Sequence, residues 1–473
     1  PGSRTTVQLV TSGMRLHSPL SNPDGMRVSG WRARDIVYDA TSVAGQEYVF
    51  NVCDGAAGGT DKLNVQLLRV DTLGVYACPT MGNPGTSSDW NHRISIVGNH
   101  CTSTSPNGTL FPGATEASVL YGLYINNKYE ISRTTTGWMR WYGTKYTLIA
   151  HNTHLATNGA NLAWHFRESY GTANIDSAFV VVQDNLLSDD STEAYVTITL
   201  WQECGGTCDT PPPPAVPNPG PGEGHDYLFD ANYFVYGNTQ TRGPILGAHT
   251  AILTEKPNVT VRNNVVDWRL YGAVGSSDLY IARGSSGDSS DHYDPYNLRV
   301  YNNTSIRAGS TARVLVVADG SASSTGDVAR NNLLYDTVDT DITLTTGAWA
   351  LTPSNNVHLN NANCPFYGAS GACELTGACA AGLGVDFECF KLRSSGGGFG
   401  ATVNQGFTFP ETATGYADYI YRDAFGGCRG GSTGGPDALW DVGAHELGAT
   451  DCLAAGTTLG ALRGGVLRGG TLR

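Results

Sequence analysis

Five charged residues stand at the ends of apolar-alternating runs and have side chains that could do chemistry. Arg167 closes "AWHFR", Glu255 and Lys256 close "AILTEK", Arg283 follows "LYIA", and Asp319 follows "RVLVVA". A lysine can take a proton as a base, and an arginine can neutralise a neighbouring carboxylate as that proton leaves. Lys256 as base with Arg283 as its cationic partner is the first pair to consider, with Arg167, Glu255 and Asp319 along the same edge. The plainer alternative is a ladder of solvated charges at strand ends.

Three further groups have chemical potential. "GDSSDHYD" carries Asp288, Asp291 and Asp294 in one loop. Hard oxygens at that spacing suit calcium, the one cofactor the sequence suggests, although an acidic surface loop is the simpler reading. "TGWMRWYGTKY" places Trp138, Trp141 and Tyr142 beside Arg140, with Tyr146 and Lys145 just beyond. Aromatic faces next to arginine suit sugar binding, while core stacking would use the same residues. Asp267, Asp336 and Asp339 are carboxylates available for hydrolysis, with nothing in their surroundings to single them out. His151 and His154 read as bend residues. No Gly-x-Ser-x-Gly elbow, P-loop or His-Glu-x-x-His motif is present, so acyl transfer, nucleotide hydrolysis and zinc proteolysis find no support.

The elements that position these groups follow from composition and repetition. The chain has 473 residues, 60 of them glycine, and only 15% are charged, a profile of many short strands and turns. Net charge is −13, and arginines outnumber lysines 24 to 5. An acidic surface excludes nucleic acid as a natural partner, whereas a glycan can dock on a local arginine cluster. No apolar run reaches the length of a membrane-spanning helix. Eleven cysteines, six of them between Cys364 and Cys452, match no zinc template and imply disulfides. Cys53 with Cys78 and Cys204 with Cys208 are the expected local staples. An oxidising compartment follows, with secretion or the cell surface as the expected location. The start at Pro1 is expected to reflect a removed signal peptide or an expression scar.

"NVTVRNNVVD", "NLRVYNNTSI" and "DVARNNLLYD" share an alternating run broken by paired asparagines. Asn99, Asn152, Asn185, Asn232, Asn264, Asn303, Asn332 and Asn356 mark the same bend. Steps such as 33, 32, 39 and 29 residues lie within the range of stacked repeats. Each repeat divides into three short strands, which predicts an all-β fold, a right-handed parallel β-helix over 86–390. Inward asparagines at Asn152, Asn185, Asn232, Asn264, Asn303 and Asn332 would then form a hydrogen-bonded structural ladder. Residues 1–85 read as a small β-sandwich-like module, 209–224 as a Pro-rich excursion from one repeat, and 391–473 as a disulfide-stapled C-terminal cap and tail.

Near the C-terminus, "FKLRSSGGGFGATVNQG" and "DVGAHE" resemble the closing segments of secreted bacterial right-handed parallel β-helix proteins. Phe390, Leu392, Asn404 and Gly406 match the first segment, with glycines where Ser-Pro is common. Asp441, Val442, Gly443, Ala444 and Glu446 match the second. The resemblance implies the fold and secretion. Its members include lyases that eliminate across uronates, using Lys and Arg with or without calcium, as well as surface proteins without such activity. The expected function is a secreted cell-surface or filament-type scaffold that contacts extracellular polysaccharide and self-associates through its terminal segments. The alternative is a polysaccharide lyase acting by β-elimination on an acidic polysaccharide.

Overall fold

The paired asparagines mark a bend with two distinct jobs. The first residue of each pair has a left-handed backbone: Asn263 (φ 54°), Asn302 (φ 52°), Asn331 (φ 55°) and Asn355 (φ 55°). Asparagine is among the few residues that tolerate that region. The second residue turns inward and is buried at Asn264, Asn303 and Asn332. The structure is a computed structural model that describes residues 5–7, 14–15, 28–29, 32–39, 41, 50–52, 62–75, 78, 80–81, 91–103, 115–132, 136–157, 161–167, 177–189, 196–200 and 225–236. It continues through 248–254, 258–269, 276–283, 298–306, 311–320, 328–335, 343–347, 352–359, 363–366, 379, 387–394, 399–405, 423–425, 427, 441–445 and 447.

Among these residues the fold is almost entirely strand, and the strands join one continuous parallel sheet. The pairing recurs at every third strand. Val259–Arg262 pairs with Arg299–Tyr301, which pairs with Val328–Arg330 and then Thr352–Ser354. Val265–Asp267 leads through Thr304–Ile306 and Leu333–Tyr335 to Val357–Leu359. Ala248–Thr254 leads through Ser276–Arg283 and Thr311–Gly320 to Thr343–Gly347. Each repeat is therefore a rung of three strands stacked in register on the next.

Register puts like residues above like. Val182, Phe229, Val261, Val300 and Ala329 occupy one column and are all fully buried. The asparagine column is the polar counterpart. From Asn99 through Asn127, Asn152, Asn185, Asn232, Asn264, Asn303 and Asn332 to Asn356, each side-chain oxygen accepts the backbone N–H of the preceding asparagine at 2.9–3.1 Å. It also accepts that residue's amide Nδ2 at 2.8–3.1 Å. Asn185 and Asn232 remain neighbours although 47 residues separate them. The Pro-rich segment between them lies outside the described residues.

Among the described residues the N-terminal strands, read from the sequence as a β-sandwich-like module, join the same parallel sheet as the rest. Thr5–Val7 pairs in parallel with Arg32–Asp39, that strand with Gln66–Val75, and the last with His100–Ser103. Asp35 (φ 55°) and Arg69 (φ 54°) make the same left-handed bend. Ile36 and Val70 follow them at the ladder position, and the Val70 N–H donates to Asn99 Oδ1 at 2.7 Å. An apolar residue in place of asparagine hides these rungs from a search for Asn-Asn pairs. Cys78 bonds to Cys101, correcting the expected pairing with Cys53. Cys379 bonds to Cys389, and Cys364 is also disulfide-bonded.

The C-terminal residues lie along the sheet as a strap. Leu392, Val403, Ala424, Val442 and Ala444 share an apolar cluster with Tyr233, Val265, Ile306 and Leu333. Strands such as Val265–Asp267 and Leu333–Tyr335 are consequently buried along their whole length. Asn302 donates to the Asp441 carbonyl at 3.2 Å, Asn355 to the Gln405 carbonyl at 2.9 Å, and the Gly443 N–H to the Asn331 carbonyl at 2.8 Å. Gly443 has φ 100°, and a Cβ there would meet Thr304 Oγ1 at 2.9 Å and Leu333 at 3.1 Å.

Asn264→Ala takes the partner from the Asn232 N–H, from one Asn232 Nδ2 hydrogen and from the Phe229 carbonyl, while Asn303 Oδ1 keeps the backbone N–H of residue 264. At about 1–3 kcal/mol for each buried orphan, chemical denaturation is expected to show a loss of about 3 kcal/mol or more. Asn356→Ala, at the half-buried end, is expected to cost about 1 kcal/mol; equal effects would contradict a cooperative ladder. Gly443→Ala is expected to cost about 1–3 kcal/mol through backbone strain and overlap, and limited proteolysis would then cleave the strap before the stacked rungs.

Candidate functional site

Three of the five expected catalytic residues, Arg167, Arg283 and Asp319, lie at or near the ends of described strands. Register runs from Phe166 through Leu200 and Thr254 to Ala282. Arg167 and Arg283 therefore end their strands at one column position, three rungs apart. At about 4.8 Å per rung their backbones are roughly 14 Å apart. Arg283 is in register with Ala318, so Asp319 is displaced by one residue. Glu255 and Lys256 lie outside the described residues, as do Asp288, Asp291, Asp294, Asp336 and Asp339. No group of three metal-ligating side chains occurs among the described residues.

Trp141 is not a surface residue. It is fully buried, stacked on Phe166 at 4.8 Å and edge-on to Trp164 at 5.2 Å. Its register partner Phe166 leads on to Leu200, so this column faces the core throughout. Trp138, Arg140 and Tyr142 lie on the same strand, Thr136–Ala150, in register with Ala163, His165 and Arg167.

The exposed aromatics lie elsewhere. Tyr121, Tyr146 and Phe179 are 52%, 49% and 37% exposed, the large apolar side chains that stand out among the described residues. They follow one another up the sheet, with ring centroids 5.3 Å apart at 17° and 5.0 Å apart at 1°. All three have left-handed backbones, at φ 63°, 52° and 55°. The same column holds Asn64 and Arg93 before Tyr121 and Asp226 and Asn258 after Phe179, all at positive φ. A bulky side chain in that region costs about 1–3 kcal/mol. Two stacked pairs return about 0.5–1.5 kcal/mol each. Asparagine or aspartate makes the same bend at other rungs of the column without that cost, so the bend itself does not call for aromatics.

Sequence reasoning singled out Tyr146 and missed Tyr121 and Phe179. The signal was positional: each lies six residues before its ladder asparagine, as Arg93, Asp226 and Asn258 also do. Asn127 was missed as well, and with it the rung on which Tyr121 sits.

Two buried ionic clusters serve the architecture. Arg269 binds Asp267 through Nε at 2.9 Å and Nη2 at 2.7 Å, and donates through Nη1 to the Cys379 carbonyl at 2.7 Å. Its guanidinium lies 5.5 Å from the centre of the Phe390 ring. Tyr233 donates to Asp267 at 3.2 Å. Burial, with the Asp267 charge adding to it, pushes the Tyr233 phenol far above its ordinary value and keeps it a donor. Asp267 has its lone pairs occupied and is a clasp for the strap instead of a general base. Asp230, buried, accepts from Arg262 Nη2 at 3.1 Å and Asn263 Nδ2 at 2.9 Å.

His151 occupies a left-handed bend (φ 56°), whereas His154 is wholly buried in the core. His154 Nδ1 accepts from Trp164 Nε1 at 2.8 Å, which fixes the neutral tautomer. Burial lowers its pKa to about 3. No protein-family model, curated protein or solved structure matches the chain.

The His154 shift has a signed consequence. Below its unfolded value near 6.5 the unfolded chain binds a proton that the folded chain refuses, so stability falls as pH drops from 6.5 toward 3. This group contributes about 1–2 kcal/mol of that loss between pH 6.5 and 5. His154→Gln retains an acceptor for Trp164, and its melting temperature is expected to change less over that interval than the wild type's. Parallel melting curves would refute the assignment.

Proposed function

We propose that this chain is an extracellular scaffold. Its rungs wind as a right-handed parallel β-helix, its surface contacts polysaccharide, and its terminal segments mediate self-association. The observation that carries the reading is the unbroken ladder from Asn99 to Asn356, in which neighbouring amides satisfy one another. A buried polar network with every member paired gives a rigid rod whose outer side chains stand at fixed intervals. Disulfides at Cys78–Cys101 and Cys379–Cys389 suit an oxidising compartment. The resemblance of Phe390–Gly406 and Asp441–Glu446 to the closing segments of secreted bacterial β-helix proteins supports the same location.

Light scattering on the full chain and on a chain truncated after Ala455 tests the association. The full chain is expected to form larger species that the truncation dissolves; monodisperse monomers in both would remove self-association. Incubation with alginate and pectate, following the absorbance of unsaturated uronates, tests catalysis in the same preparations. No rise is expected. A rise that Lys256→Ala abolishes would replace the scaffold by a polysaccharide lyase.

A further inference from the structure

We propose that Tyr121, Tyr146 and Phe179 form a binding strip for an extended, uncharged polysaccharide lying along the rungs. This rests on the glycan-contacting reading above and gives it a site and a ligand class. Nearly parallel rings with centroids 5.0 and 5.3 Å apart touch at van der Waals distance only when slid sideways. The strip is therefore shingled, and each ring leaves part of its face uncovered.

Pyranose rings present C–H faces that lie flat on such surfaces, and an extended glycan advances by about one ring per rung of about 4.8 Å. The period of the strip thus fits a repeating ligand. Two of the rings carry phenol hydroxyls, which can exchange hydrogen bonds with sugar hydroxyls at the rim. Charge favours a neutral chain. Arg93 flanks one end of the column and Asp226 the other, and the whole protein carries a net charge of −13 that repels polyanions. The backbone supplies an independent reason to see a binding site. At other rungs of this column Asn64 and Asn258 make the same bend with a residue that suits it. Strain retained at exposed aromatics on three successive rungs marks a surface kept for contact.

The test is affinity electrophoresis of the full chain through gels containing hydroxyethylcellulose, glucomannan or alginate, alongside melting curves. The variant is Tyr121→Asn/Tyr146→Asn. The wild type is expected to be retarded by a neutral glycan and not by alginate. The variant is expected to bind at least tenfold more weakly while melting at a higher temperature, because asparagine accepts the left-handed backbone. A merely structural aromatic stack would lose stability on the same change. Retardation of the variant equal to wild type would overturn the strip while leaving glycan contact elsewhere on the rod. Retardation by alginate alone would overturn the neutral ligand. No retardation by any of the three would overturn the strip and the glycan-contacting reading together, leaving self-association to be judged by light scattering.

Discussion

A buried primary amide that uses all of its hydrogen-bonding capacity is the constraint on which the rest depends. Asn264 accepts two bonds from Asn232 and donates two, to the Phe229 carbonyl and to Asn303 Oδ1. Its neighbours in the central ladder repeat the arrangement. An amide has two donor hydrogens and two acceptor sites, so nothing is left over. Sliding one rung by a single residue would turn that amide outward and bury an apolar side chain's worth of unpaired backbone in its place. Register is thereby enforced at every rung from Asn99 to Asn356, and the apolar columns follow from it.

Once register is fixed, the residue just before each ladder position is free to vary, provided it accepts a left-handed backbone. The chain uses that freedom differently along its length. Asp35 and Arg69 form a half-buried ion pair at 2.5 Å, with Arg34 beside them, and these arginines hold the Asp35 carboxyl below its usual range. Asn263 supports the buried Asp230. Asn302, Asn331 and Asn355 secure the strap through one side-chain donor, one backbone carbonyl and a second side-chain donor. A single bend geometry thus supplies a surface charge pair, a core contact and a docking rail.

What could be read from the sequence follows the same division. Stacked positions must repeat, so the asparagines from Asn152 to Asn332 and the three strands per repeat were visible in the spacing alone. Asn127 escaped because the 99-to-152 interval was not divided into its two rungs. The first rungs escaped because Ile36 and Val70 fill the ladder position with apolar side chains that carry no distinctive mark. Trp141 was misplaced because a two-residue period says that strand faces alternate without saying which face is inside; only its alignment with Phe166 and Leu200 decides. The pairing of Cys78 with Cys101 depends on which rungs are adjacent, information that lies in register and not in local spacing. Tyr121 and Phe179 sit in "YGLYI" and "FVVVQ", runs that look like ordinary strand interiors until they are counted back from the asparagine.

The strap and the aromatic strip divide the rod along its length. The strap buries apolar residues from Tyr233 through Leu359 and draws on three of the outer asparagines, so those rungs have part of their outer surface committed within the chain. The strip occupies the rungs of Asn127, Asn152 and Asn185, before the strap's contacts begin in earnest. There the column turns from polar to aromatic, and it returns to Asp226 and Asn258 as the strap takes hold. Exposed rings next to a docking segment would compete to bury against it, since apolar burial is non-directional. Separating the two along the axis lets one region close upon itself while the other keeps its apolar surface available to a ligand.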